Sequence, residues 1–181
     1  LFCLFVLLFF LFSSRRRHTR FTRDWSSECA LPIWSRSRKS LPGVRSYVGE
    51  PELSEFLGDT QILVMLLPLD ETTQKILNKV TLSQLPRGAS VINAGRGGCI
   101  HENDLLDALD KGHISGVALD VFEAEPLPEA HPFWRHPNVT ITPHAASLTN
   151  PVSAVHFVAE NIRRHQNGKP LRHIVAPIDR R

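Results

Sequence analysis

Val91-Ile92-Asn93-Ala94-Gly95-Arg96-Gly97-Gly98 decides how this chain is read. Apolar residues over 89–93 predict a buried strand, and the glycines that follow predict a loop in which a single arginine is held. An arginine among glycines suits a small anion, because guanidinium and backbone can both approach it closely. Downstream, residues 103–111 predict a helix with Leu105, Leu106 and Leu109 on one face and Gly112 as its stop. Residues 116–120 and 139–142 predict two further strands. Upstream, the apolar run 61–67 ends at Pro68 and predicts a strand covered on both faces. Residues 73–85 suit one or two short helices anchored by Ile76, Leu77 and Leu82, and 51–58 a short helix begun by Pro51. Asn150-Pro151 opens a longer helix that Asn167-Gly168 ends, and Val152, Val155, Val158, Ala159 and Ile162 make its buried stripe. Strands alternating with helices predict an α/β protein with a parallel sheet.

The 181 residues suit one ordinary domain, or one domain with pieces of another. A pI near 9.0 invites a nucleic-acid partner, but the charge is local. Residues 1–33 carry five arginines against Asp24 and Glu28, and residues 34–181 hold as many basic as acidic side chains. Nucleic-acid binding is therefore disfavoured. Cys3, Cys29 and Cys99 have no paired spacing, which argues against a disulfide framework and for a reducing cytoplasm. His131, His136 and His144 lack an acidic or thiol partner at a recognisable metal-site spacing, so no metal is expected. Asn138-Val139-Thr140 is a glycosylation sequon without meaning in a cytoplasmic protein.

Residues 1–12 are almost wholly apolar, yet no basic segment precedes them and no small-residue cleavage site follows. The run is too short to span a bilayer, which takes roughly 20 apolar residues. Neither helical nor strand periodicity appears from Ser13 to Ile33, and the Ser-Arg-rich string there resembles translated sequencing-adapter read-through. Residues 1–33 are accordingly expected to be non-native or disordered, and no membrane partner is expected.

In parallel sheets ligands bind beyond the carboxyl ends of the strands, and Arg96, Glu125 and His144 all follow predicted strand ends. Reaction at a 2-oxo acid needs a group to hold the carboxylate and a group to give the ketone oxygen a proton. The forked donors of Arg96 suit the first task, and a histidine titrating near working pH suits the second. Glu125 can accept the remote ring N–H of His144, fixing its tautomer and favouring the imidazolium. Singly, each residue has an ordinary alternative. Arg96 could be a solvated loop charge, Glu125 a surface acid with Glu123 as its rival, and His144 a buried, satisfied histidine.

Ile92-Asn93-Ala94-Gly95-Arg96-Gly97-Gly98, then Leu119-Asp120-Val121-Phe122-Glu123-Ala124-Glu125-Pro126-Leu127-Pro128, then Thr142-Pro143-His144 together resemble the signature series of the D-isomer-specific 2-hydroxyacid dehydrogenases. Trp34-Ser35-Arg36-Ser37-Arg38-Lys39 and Phe133-Trp134-Arg135-His136-Pro137 bring the likeness nearest to the glyoxylate/hydroxypyruvate reductase branch. The resemblance covers essentially all of 34–181. It implies a partial Rossmann-like, doubly wound parallel sheet over 34–149, with 150–181 returning as helix and tail to an incomplete substrate domain. It implies reduction of glyoxylate or hydroxypyruvate to the 2-hydroxy acid. Arg96 would bind substrate, Glu125 would orient the histidine, and His144 would be the general acid/base. It also implies that Asp120 lies near the nicotinamide carboxamide, that Leu67 and Pro68 line the cofactor cleft, and that Ala94, Arg96 and His144 adjoin the cofactor. A homodimer is usual in that family.

NAD-binding folds place an acid after the second strand to take the ribose 2′-hydroxyl, whereas an arginine there accommodates a 2′-phosphate. Ser35, Arg36, Ser37, Arg38 and Lys39 contain no acid, so NADPH is the expected cofactor, with NADH as the alternative. The sequence departs from the family in one respect: no Gly-x-Gly-x-x-Gly occurs in it. A chain of these residues alone would lack the pyrophosphate cradle and one wall of the cleft, and is expected to be inactive. Two alternatives remain open at this stage. One is an NAD-dependent enzyme like 3-phosphoglycerate dehydrogenase, which would want an acid near Arg36; the other is a non-catalytic, corepressor-like NAD(P)-binding protein.

Overall fold

The computed structural model describes residues 31–147 and 151–174. The chain divides into two units, one ending at Ala146 and one starting at Ser147. In the first, β3 (Ile62–Met65), β4 (Ala89–Asn93), β5 (Ile114–Leu119) and β6 (Val139–Ile141) pair in that order, all parallel. Two strands precede them: β1 (Leu31–Ser35) pairs in parallel with β2 (Val44–Val48). Helices α1 (Gly49–Gly58), α2 (Lys79–Gln84) and α3 (Glu102–Asp110) connect or precede the strands of the larger sheet. This is a Rossmann-like parallel α/β arrangement, in which every strand of the larger sheet ends at the same edge.

Local chemistry accounts for the connections. The Glu52 carboxylate reaches back to the Val48 N–H at 2.7 Å and holds the start of α1. Asn78 caps α2 in a reciprocal box with Thr81. Of 73–85, only Lys79–Gln84 is α-helical, because the stretch before it is shaped by side chains. Asp70 Oδ1 accepts the Thr72 and Thr73 N–H groups, and the Thr73 hydroxyl donates to the Pro68 carbonyl at 2.7 Å. Such short polar side chains offer the backbone an alternative to helix. In α3, Leu105 and Leu109 are buried and Leu106 packs at the margin of the core.

Three expectations need correction. Leu31, Pro32 and Ile33 fall in the segment read as aperiodic, yet they form the first residues of β1; residues 1–30 lie outside the described residues. The 61–67 run is covered on one face only. Leu63 and Met65 are buried in the core, while Ile62, Val64 and Leu66 are exposed, because the core residues of α2 and α3 share the Leu63 face. In the second unit, α4 (Pro151–Gln166) forms as expected, but its stripe is not buried: Val152, Val155, Val158 and Ile162 are exposed. Among the described residues that unit holds one helix and a short tail, too little to cover the stripe.

The core lies between the larger sheet and its helices, with Val91, Leu105 and Ile114 wholly inaccessible. Leu105→Ala should lower the unfolding free energy by about 2–5 kcal/mol, the transfer loss plus the cavity left in a close-packed interior. Urea denaturation monitored by circular dichroism checks this, with an unchanged slope expected.

Candidate active site

Each strand of the larger sheet delivers a piece of the site from its carboxyl end: Leu67-Pro68 after β3, Arg96 after β4, Asp120 and Glu125 after β5, and His144 after β6. Asn93, buried at the end of β4, starts the first loop. Its Oδ1 accepts the Gly95 N–H at 3.1 Å and its Nδ2 donates to the Arg96 carbonyl at 3.1 Å. A β-carbon at Gly95 would stand 2.9 Å from the Leu67 carbonyl oxygen, and one at Gly97 would stand 1.9 Å from the Phe122 carbonyl carbon. The loop therefore lies flush against both neighbouring loops. Ala94 joins the Leu67 side through its N–H, which donates to Met65 at 3.2 Å. The Arg96 guanidinium folds back onto the Gly95 carbonyl at 2.7 Å.

His144 and Glu125 meet directly, Nδ1 to Oε2 at 2.8 Å, although 19 residues separate them. The imidazole is half exposed, so it is not a buried, satisfied histidine. The other Glu125 oxygen accepts the Phe122 N–H at 3.0 Å. That backbone donor first, then His144, holds the Glu125 carboxyl below its ordinary value of 4.5, with the Arg96 charge adding to the effect. Glu123, the rival acid, pairs instead with Lys75 at 3.4 Å.

Asp120 has a structural use that its sequence position did not indicate. It is buried, and it accepts the Thr142 hydroxyl and the Ala145 N–H (2.9 Å) on Oδ1 and the Ala146 N–H (2.9 Å) on Oδ2. Burial pushes its carboxyl up, but these donors outweigh burial and hold it below its ordinary 3.8. The loop they pin is the one in which His144 adopts a left-handed backbone, with φ at 52°. Asp120 thus staples the histidine loop to the end of β5. Asn93 and Thr142 escaped the sequence reading. The available signal was a short polar side chain beside a strand end, next to glycine or proline.

Of residues 34–39, whose basic side chains suggested a cationic loop, Trp34 and Ser35 instead complete β1 and only residues 36–39 form the loop, with side chains that are not equivalent. Arg38 uses both terminal nitrogens, donating to the Ser46 carbonyl at 2.7 Å and to Glu52 at 2.5 Å. The Lys39 ammonium donates to the Ser37 hydroxyl at 3.0 Å, and the Ser35 hydroxyl to the Ser37 carbonyl at 2.8 Å. Arg36 is 86% exposed and pairs at 3.3 Å with Asp70, an acid supplied by the loop after β3. An exposed pair of this kind is weak and readily exchanged. Cys99, beside the glycine loop, is buried, and burial pushes its thiol up, so it behaves as a small packed residue. Among the described residues no group of three or more His, Cys, Asp or Glu could hold a metal ion, and no helix is long and apolar enough to cross a membrane.

Residues 26–146 match the D-isomer specific 2-hydroxyacid dehydrogenase, NAD binding domain family. Glyoxylate/hydroxypyruvate reductase A of Salmonella newport is 50% identical over 141 residues, which are 78% of this chain and 45% of that protein. The chain thus spans about half the length of such curated relatives. Among solved structures, a D-isomer specific 2-hydroxyacid dehydrogenase from Xanthobacter autotrophicus in complex with NADPH and MES superposes with a TM-score of 0.78. It is 43% identical, over 82% of this chain and 61% of that one. An NADPH-dependent glyoxylate/hydroxypyruvate reductase from Sinorhizobium meliloti, in complex with NADP and sulfate, gives 0.76 at 41% identity, over 81% of this chain and 48% of that one.

Two expectations follow from this geometry. Gly97→Ala should destabilise the fold by about 1–3 kcal/mol, because backbone rather than a movable side chain fills the space, and a thermal melt reads it. The lowered carboxyls of Glu125 and Asp120 set a sign for acid behaviour. Groups whose pKa is depressed by folding stabilise above their ordinary values, and the benefit is lost as pH falls through the folded ones. Stability from these two groups should hold from neutral pH down to about 4.5 and decline below it. Asp120→Asn should be less stable at neutral pH and show a shallower acid decline in denaturation at stepped pH.

Proposed function

We propose, since this chain belongs to the D-isomer specific 2-hydroxyacid dehydrogenase family, that its whole protein reduces a small 2-oxo acid, glyoxylate or hydroxypyruvate, with NADPH. The observation that carries the proposal is the Glu125–His144 contact of 2.8 Å on the sheet edge that also bears Arg96. Glu125 takes the Nδ1–H and leaves His144 Nε2 to hold the proton exchanged with substrate. Arg96 binds the substrate carboxylate as a fork, which turns the adjacent carbonyl toward the histidine and polarises it. When bound, the nicotinamide supplies a hydride to the carbonyl carbon. His144 delivers its Nε2 proton to the carbonyl oxygen as the C=O π bond opens, so the 2-hydroxy acid leaves with both hydrogens.

The donor set after β1 fits a phosphate monoester. Arg36 extends into solvent, its pairing with Asp70 is replaceable, and Ser35, Ser37 and Lys39 stand beside it with no acid on the loop itself. Arg38 would act as a strut for that loop. Leu67, Pro68 and Ala94 would line the cofactor cleft and Asp120 would hold the histidine loop beside the nicotinamide. Asp70 is the observation that keeps the NAD-dependent, 3-phosphoglycerate-dehydrogenase-like reading alive, because it does place an acid at Arg36. Asp70 is already committed to Thr72 and Thr73, which weighs for NADPH. The sequence holds no Gly-x-Gly-x-x-Gly, so the reaction is assigned to a protein of the relatives' length and no turnover is expected of the 181 residues alone. Homodimeric assembly and a cytoplasmic setting complete the proposal.

Oxidation of NADPH in the presence of glyoxylate by the whole protein tests it. Turnover should fall about 100-fold or more in His144→Ala, the scale of losing a general acid. Arg36→Ala should raise KM for NADPH and leave that for NADH nearly unchanged. Equal turnover with His144→Ala would defeat the assignment, and a preference for NADH would favour the second reading.

A further inference from the structure

The proposed chemistry requires Arg96 and Glu125 to keep a fixed spacing, yet they stand on different loops. A carboxylate and an imidazole outside the site bridge those loops. Glu102 opens α3, three residues beyond Cys99 and the glycine loop, where the N-terminal helix dipole favours an anion. Its Oε1 accepts the Glu123 N–H at 3.0 Å and its Oε2 faces His131 Nε2 at 3.3 Å. Both side chains are more than four-fifths buried. His131 in turn accepts the Phe133 N–H on Nδ1 at 3.3 Å, capping the short helical turn Pro132–Arg135, and its ring lies 4.6 Å from that of Phe133. An imidazole accepting on Nδ1 carries its proton on Nε2, so an N–H rather than a lone pair faces the Glu102 carboxylate at 3.3 Å.

We propose that Glu102 and His131 are positioning residues that clamp the loop bearing Glu125 to the helix that follows the Arg96 loop. The proposal rests on the roles given above to Arg96, Glu125 and His144. Glu102 holds the loop at Glu123, next to the Phe122 N–H that Glu125 itself accepts, and His131 holds it again at its far end. The three groups run in one order: the Phe133 N–H donates to His131, the His131 Nε2–H faces the Glu102 carboxylate, and the Glu123 N–H donates to Glu102. An amide in place of Glu102 cannot satisfy this order. If its oxygen keeps the Glu123 N–H, its NH₂ faces a ring N–H, donor against donor.

Amide hydrogen exchange on the 181-residue chain, with Glu102→Gln and His131→Asn, tests the clamp. Asparagine can still cap the Phe133 N–H but cannot reach Glu102, so the second variant cuts the link and keeps the turn. Exchange at Phe122 and Glu123 should quicken about tenfold in both variants, as expected for loss of one contact to a largely buried carboxylate. Exchange at Val117 and Leu82, in the sheet and in α2, should not change. The Glu125 carboxyl, followed by carbon NMR, should titrate nearer its ordinary 4.5, a change that general loosening of the core would not single out. Unchanged exchange at Phe122 and Glu123, acceleration shared by Val117, or an unmoved Glu125 titration would each overturn the proposal. No substrate enters these measurements, so a failure of 2-oxo acid reduction would count against the proposed reaction alone.

Discussion

There is no room for a side chain at Gly97, and much of the site follows from that exclusion. The Phe122 backbone occupies the place of a β-carbon, so the loops after β4 and β5 touch as bare main chain. This brings the Arg96 charge near enough to Glu125 to help keep its carboxyl ionised. The same contact leaves the Phe122 N–H facing Glu125, whose remaining oxygen then turns to His144. One close approach of backbones thus sets the order of three side chains.

Asp120 performs a comparable task on the other side. A buried carboxylate is costly unless its lone pairs are matched, and here three donors match them, all from the segment 142–146. Those donors come from the loop whose histidine takes a left-handed backbone, a conformation that a β-carbon disfavours. Surrounding bonds must hold such a residue in place, and Asp120 supplies them. The nearby imidazole adds to the donors that hold the Asp120 carboxyl low. Anchoring and electrostatics are therefore properties of one side chain.

Much of this was legible in the residues, and what was missed has physical reasons. The larger sheet could be read because its strands are short apolar runs ended by glycine, proline or a polar residue, and parallel pairing puts all their ends on one edge. Arg96, Glu125 and His144 follow directly from that edge. The pairing of β1 with β2 was hidden, because Leu31-Pro32-Ile33-Trp34-Ser35 is brief and carries a proline, and in its register each residue faces a partner 13 positions away (Leu31 to Val44). The apolar character of 61–67 announced a strand, but periodicity could not say that only the Leu63 face would be covered. The hydrogen bonds of Asp120 span 22 to 26 residues and the contacts of Glu102 span 21 and 29, distances at which no local pattern in a sequence speaks.

The unequal use of the arginines after β1 bears on how coenzyme choice could drift or be redirected. Arg38 ties its loop to β2 through the Ser46 carbonyl and to α1 through Glu52, while Arg36 reaches solvent against one replaceable counter-ion. Loss of Arg38 would blur the loop's shape for any dinucleotide, whereas loss of Arg36 would alter only the charge offered to it. If the proposed coenzyme site is the one used, a changed coenzyme is within easy reach at Arg36 and obstructed at Arg38, although both carry the same residue.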